Sequence, residues 1–426
     1  MADFKRYFSS TSWLFLEKIL SIFSSLIVGA YVARTFGPHD FGSYSYYVLI
    51  YGILLPISKF GVDSTYYIEL MKDRTKFNEL FTNAFFARLI VSVVIFLLSF
   101  VYVIIFSRDY HLLIVSVSVV LSFTTIVDVT QQVKVNSDIV AKCRIFQLTV
   151  SSLIKLYIAF SGLHYYYLVY VLLFDAVVIL SLYYLFILRG NVNIGVFDFS
   201  SIGKLYRVSF FVFLSSICTV LYARIDSLMI YNLLGNEQLG IYSVAVRLSE
   251  SWLFIPMILS SSLFPAVYEY VNNNDGSYEG KLEDLYSIIS ILGVSAVLGA
   301  FIFSDFFVGM LFGEGFSESS DVLKIRIIET MIASVGIVAN KWVISEGFQK
   351  SNFIFVLIGL LVNVVLNALF IPIFGVKGAA YASVIAILMT VIISPCFVKE
   401  FRKDVMRRIR SILIFPFIFR KLRRVF

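Results

Sequence analysis

Six cations stand within or beside long apolar runs of this chain: Arg88, Lys155, Arg224, Arg247, Arg326 and Lys341. Five acids share those runs: Asp128, Asp175, Asp226, Glu250 and Glu329. A charge facing lipid at the bilayer centre costs roughly 2.5 to 3.5 kcal/mol on insertion scales, so six such cations would cost roughly 15 to 20 kcal/mol. That exceeds the stability of a typical protein, so most must face protein or a wet cavity. Arg247 with Glu250 and Arg326 with Glu329 are three residues apart on one helical face and could pair locally. Arg224 and Asp226 are two apart, on opposite sides of a helix, so each needs a partner elsewhere. Arg88 and Lys155 have no carboxylate at helical spacing and are the foremost candidates for contact with an anionic ligand. The acids could bind a coupling proton or cation, because burial favours the protonated carboxyl, or they could neutralise the cations beside them.

The runs that position these residues define the fold class. Hydrophobic residues make up 59% of the 426, charged residues only 15%, and the mean hydropathy is +0.88. An ordinary soluble domain is about 25% charged. The runs are continuous and about twenty residues long, which predicts membrane helices rather than the strict alternation of a transmembrane barrel. Twelve spans are expected, near 12–33, 44–57, 84–106, 111–133, 143–161, 165–188, 209–234, 240–267, 285–312, 322–345, 353–373 and 378–398. The first reads as an uncleaved span, too long for a signal-peptide core. With both termini inside, only Arg34, Arg108 and Lys377 among the loop Lys and Arg fall outside, a strong positive-inside bias. The net charge of +7 therefore reports topology, not nucleic-acid binding. Cys143, Cys218 and Cys396 lack metal or disulfide spacing, and the three histidines, all in outer turns, lack metal spacing too, so no metal and no cofactor is expected. The tyrosine clusters at 44–47 and 165–167 read as an aromatic belt. The basic tail surrounds an apolar run, 412–419, too short to span, and is expected to lie on anionic lipid.

An internal repeat divides the chain. FGPHDFGSYS at 36–45 recurs as LGNEQLGIYS at 234–243, with Pro56 and Pro256 following at nearly the same offset. Six spans per half predict an all-α polytopic protein of two six-helix bundles related by a parallel repeat around a central cavity. Residues 1–195 form the first bundle, 196–398 the second and 399–426 a cytoplasmic tail, with a linker at 189–204.

The phrases RTFGPHDFGSYSYY, PISKFGVD, RIDSLMIYNLLGNEQLGIYSVAVRLSESW, SLFPAVYE, LFGEGF, NKWVISEGFQKS and FIPIFGVKGAAYAS together resemble the Wzx-type polysaccharide flippases. Those belong to the multidrug, oligosaccharidyl-lipid and polysaccharide exporter superfamily. The resemblance spans about 34–383 and implies a flippase, not an enzyme, working by alternating access in the inner membrane of a bacterium. Its expected cargo is an undecaprenyl-diphosphate-linked O-antigen or capsule repeat unit, moved to the outer leaflet by antiport with H+ or Na+ alongside other polysaccharide-assembly membrane proteins. Such a cargo requires cations for its phosphates, and the planar fork of arginine binds such oxygens in pairs. The six cations are therefore expected as a ladder along the cavity, and the five acids as ion-coupling candidates. Two alternatives stay open. A multidrug exporter of the same fold would favour an acidic cavity. A membrane glycosyltransferase, polymerase or acyltransferase would want a larger soluble loop than the chain offers.

Overall fold

The computed structural model describes residues 2–188, 195, 197–272 and 278–413. Part of the expected linker, 189–194 with 196, and the tail from 414 lie outside the described residues. All regular structure described is helical. In chain order the helices are α1 (Ala2–Lys59), α2 (Val62–Lys72), α3 (Phe77–Tyr102), α4 (His111–Leu121), α5 (Ile126–Val133), α6 (Ser137–Phe160), α7 (Tyr166–Tyr183) and α8 (Phe199–Leu234). They continue as α9 (Asn236–Ser251), α10 (Phe254–Asn272), α11 (Tyr278–Phe312), α12 (Glu318–Ser345), α13 (Gln349–Phe374), α14 (Val376–Leu388), α15 (Ser394–Cys396) and α16 (Arg402–Leu413). Among the described residues, ten helical stretches are long and apolar enough to cross a membrane. The protein is a multi-pass membrane protein.

The chain divides into two compact units, Met1–Arg224 and Ile225–Phe426. In the first, α1 packs along α6, α4 along α7, and α6 along α7. Its core joins Val62, Tyr66 and Leu70 of α2 to Phe81, Ala84 and Ala87 of α3, with Ile126, Val129 and Tyr183. In the second, α12 is central, packing on α11, α9 and α14, while α13 packs on α14. There Leu285, Tyr286 and Ile289 meet Val338, Trp342 and Phe401. Large apolar side chains such as Leu98 of α3, and Ile105 and Phe106 in the π-helical turn that follows it, are exposed, as a lipid-facing surface requires.

Repeat glycines make the matching turns. The 63-residue stretch Ser10–Lys72 is no single rod. Gly37 breaks it with φ 74 and ψ 175, and Pro38 follows where the missing N–H costs least. Gly235 adopts φ 88 and ψ −173 between α8 and α9. Nearly equal backbone angles at equivalent positions give the repeat a physical meaning, because this region is open essentially to glycine alone.

Gly37→Ala and Gly235→Ala should each destabilise the protein by about 1 to 3 kcal/mol. Gly52 lies within the helix with open space where a Cβ would stand, so Gly52→Ala should be neutral or stabilise by up to about 1 kcal/mol. Unfolding of the three variants in one detergent checks the difference in sign.

Candidate functional site

Buried charge gathers at several places, each tied across helices. In the second unit, Arg326 of α12 lies 3.3 Å from Asp226 of α8, 3.5 Å from Glu329 of α12 and 3.7 Å from Glu250 of α9. Three carboxyls thus face one guanidinium, whose side chain is 5% exposed. Tyr242 of α9 donates its hydroxyl to Asp226, and its ring centroid lies 5.7 Å from the Arg326 guanidinium carbon. Ser383 of α14 donates to the same carboxylate at 3.3 Å, as does the Ser227 amide at 2.7 Å. Four helices therefore converge on Asp226, and Trp252 adds a hydrogen bond to Thr330 at 3.1 Å beside them.

The first unit holds its charges differently. Arg88 of α3 is fully buried, 3.2 Å from Asp63 of α2. It donates to the Ser122 carbonyl at 3.0 Å and to the Thr125 hydroxyl at 2.8 Å. Those acceptors lie in the 3₁₀ turn between α4 and α5, where i+3 bonding loosens the regular α-helical ladder and a side chain can enter. Lys59 lies 3.4 Å from the same Asp63. Asp128 of α5 pairs with Arg144 of α6 and accepts the Tyr183 hydroxyl of α7 at 2.5 Å. Asp175 of α7 accepts Ser151 at 3.0 Å, with Lys155 of α6 at 3.9 Å.

These contacts add to the expectation. Arg88 and Lys155 have no carboxylate at helical spacing, but Asp63 and Asp175 reach them from neighbouring helices, a pairing that spacing along one helix cannot reveal. The local pair Arg326 with Glu329 forms, but with two further acids on the same guanidinium. Of the remaining cations, Arg224 and Arg247 are half-buried and Lys341 is half-buried with no ion pair among the described residues. Sequence spacing also missed Asp63, Arg144, Tyr183 and Tyr242. Arg144 of α6 holds Asp128. Among the described residues no group of three or more metal-ligating side chains stands ready for a metal ion. Two of the three histidines stack: His111 and His164 lie on Tyr166 at centroid distances of 4.3 Å each, and Asp109 accepts Tyr47 at 2.8 Å.

With that geometry in view, comparison with known proteins gives the family. The sequence model described as "Polysaccharide biosynthesis protein" matches residues 31–321. The chain belongs to that family. The resemblance read from the sequence therefore holds. The chain is 25% identical to "Capsular polysaccharide biosynthesis protein CapF" of Staphylococcus aureus over 87% of its own length and 93% of that protein's. It is 24% identical to "Probable low-salt glycan biosynthesis flippase Agl15" of Haloferax volcanii, over 48% of this chain and 43% of that one, so the match spans less than half of the archaeal relative. Among solved structures, "Lipid II flippase MurJ, inward closed conformation" superposes with a TM-score of 0.72 at 14% identity, over 97% of this chain and 92% of that one. An inward-facing multidrug resistance MATE family transporter of the MOP superfamily gives 0.68 at 13%, over 91% and 96%. This family member has the fold those transporters share.

Asp63→Ala should destabilise by about 3 to 5 kcal/mol, since it strands a fully buried guanidinium. Glu250→Gln should cost under about 1 kcal/mol, because its side chain is 35% exposed and Arg326 keeps two other acids. Equal losses in equilibrium unfolding would show that Arg88 does not depend on Asp63.

Proposed function

We propose that this protein is a flippase for a lipid-linked oligosaccharide of surface polysaccharide synthesis, moving it between leaflets by alternating access. The single observation that carries this reading is a membrane chain of the polysaccharide biosynthesis family, in the fold of a lipid II flippase, whose apolar helices carry buried charge. The finer reading is twelve spans in two six-helix bundles at 1–195 and 196–398, with both termini cytoplasmic in a bacterial inner membrane. The cargo is an undecaprenyl-diphosphate-linked O-antigen or capsule unit. A diphosphate with several sugars cannot enter hydrocarbon, so it needs a hydrated path with cations, while its polyprenyl chain stays in lipid.

Within this reading Lys341, half-buried with no ion pair among the described residues, is the phosphate contact of first choice, and the half-buried Arg224 and Arg247 rank beside it by their exposure. Arg88, Lys155 and Arg326 contribute field from behind their carboxylate partners. Asp226, Glu250 and Glu329 are the coupling acids of first choice, since all three touch Arg326, which stays paired when one of them accepts a proton or Na+ in antiport. Asp128 and Asp175, each balanced by one cation, rank behind them. No bond in the cargo is broken, so the protein acts as a transporter and not as an enzyme.

The three acids around Arg326 also favour a second reading, export of cationic small molecules, which an acidic site would suit. Reconstitution into liposomes separates the two. With undecaprenyl-diphosphate oligosaccharide and a reporter of its sidedness, the protein should equilibrate the lipid between leaflets. Arg224→Glu and Lys341→Glu should slow this at least tenfold without loss of folded protein. Expulsion of a cationic dye with no movement of the lipid would select the exporter.

A further inference from the structure

The helix α16 has two faces of opposite character. Phe401, Asp404, Val405, Arg408 and Ser411 are buried, and they fasten it to the second unit. Arg408 donates to Asp404 at 2.6 Å and to the Val391 carbonyl at 2.7 Å, inside the π-helical turn Met389–Ile393. Tyr286 of α11 donates to the same Asp404 at 3.1 Å, and Ser290 meets Ser411 at 3.0 Å. Arg407 reaches Glu279 at 2.8 Å. The helix is therefore held beside the first turns of α11.

The opposite face is exposed and cationic: Arg402, Lys403 and Arg410, with Met406 half-exposed among them. Beside it Phe397 is 80% exposed. Arg402 spends its Nε–H on the Cys396 carbonyl at 3.1 Å and is itself exposed. Depth follows from length. The stretch Glu279–Phe312 has 34 residues and is about 51 Å long, against about 30 Å of hydrocarbon. Its far end exposes Phe301, Ile302, Phe303, Phe306, Phe307 and Met310, which belong in lipid. The surplus length therefore falls at the near end, where Glu279, Lys281, Glu283 and Asp284 stand and α16 is docked. That is headgroup depth.

We propose that the outward face of α16 binds anionic phospholipid headgroups, with Arg402, Lys403 and Arg410 on the phosphates and Met406 and Phe397 set among the upper acyl carbons. Lipid phosphate is the occupant that fits, because the face combines cations with exposed apolar side chains at the level where both are found in a bilayer. The inference is independent of what the protein transports.

The test uses the full chain in micelles doped with equal phosphatidylglycerol and phosphatidylcholine, with bound lipid counted by native mass spectrometry. The protein should retain phosphatidylglycerol preferentially, and each of R402Q, K403Q and R410Q should lower that preference about fivefold. High salt should lower it in the unaltered protein too, which needs no variant. A preference equal in the triple variant and insensitive to salt overturns the proposal. So does the absence of any preference, and an acidic protein surface then becomes the partner to seek.

Discussion

Inside an apolar protein a charge survives only with its opposite within a few ångströms and its remaining polar atoms engaged. Here that constraint is met across helices. Asp63 and Arg88 join α2 to α3 and to the turn between α4 and α5, while Asp128 draws α5, α6 and α7 together through Arg144 and Tyr183. Asp226 gathers α8, α9, α12 and α14, and Asp404 with Arg408 fastens α16 to α11 and the last span. Lipid tails are as apolar as leucine, so hydrophobic burial alone does little to choose between helix arrangements in a membrane. Buried ion pairs and hydrogen bonds supply the missing specificity, because any other arrangement strands a charge.

The arrangement differs between places. Asp63, Asp128 and Asp175 each have at least one cation, whereas Arg326 touches three acids at once, Asp226, Glu250 and Glu329. A balanced pair resists change, since removing either partner leaves an orphan. A guanidinium that several acids touch is different: protonating one of them leaves Arg326 still paired. That is the property an ion-coupled step requires, and on the proposed reading it assigns coupling to the second unit.

Much of the fold was legible. Apolar runs separated by charged turns gave the helices, and the repeat of FGPHDFGSYS in LGNEQLGIYS marked Gly37 and Gly235, whose backbones prove nearly the same. The site was legible only in part. Residue types inside the runs picked out Arg88, Asp128, Asp226 and Arg326, but their partners are tertiary. Asp63 lies on α2, a short helix that a span-by-span reading treats as loop, and Arg144 stands at the charged start of α6. Helical spacing detects neighbours on one helix face and is silent about the next helix. The interruption at Ser122–Thr125 was likewise hidden, because its residues are ordinary and only the guanidinium of Arg88 gives it a role.

The role of the carboxyls clustered on Arg326 is tested most directly by difference infrared spectroscopy of the reconstituted protein as pH or sodium is changed. A carboxyl stretch that appears or vanishes with the ion, and that Asp226→Asn, Glu250→Gln or Glu329→Gln removes, is the expected result. A spectrum with no carboxyl change, or a change that survives all three substitutions, would contradict it.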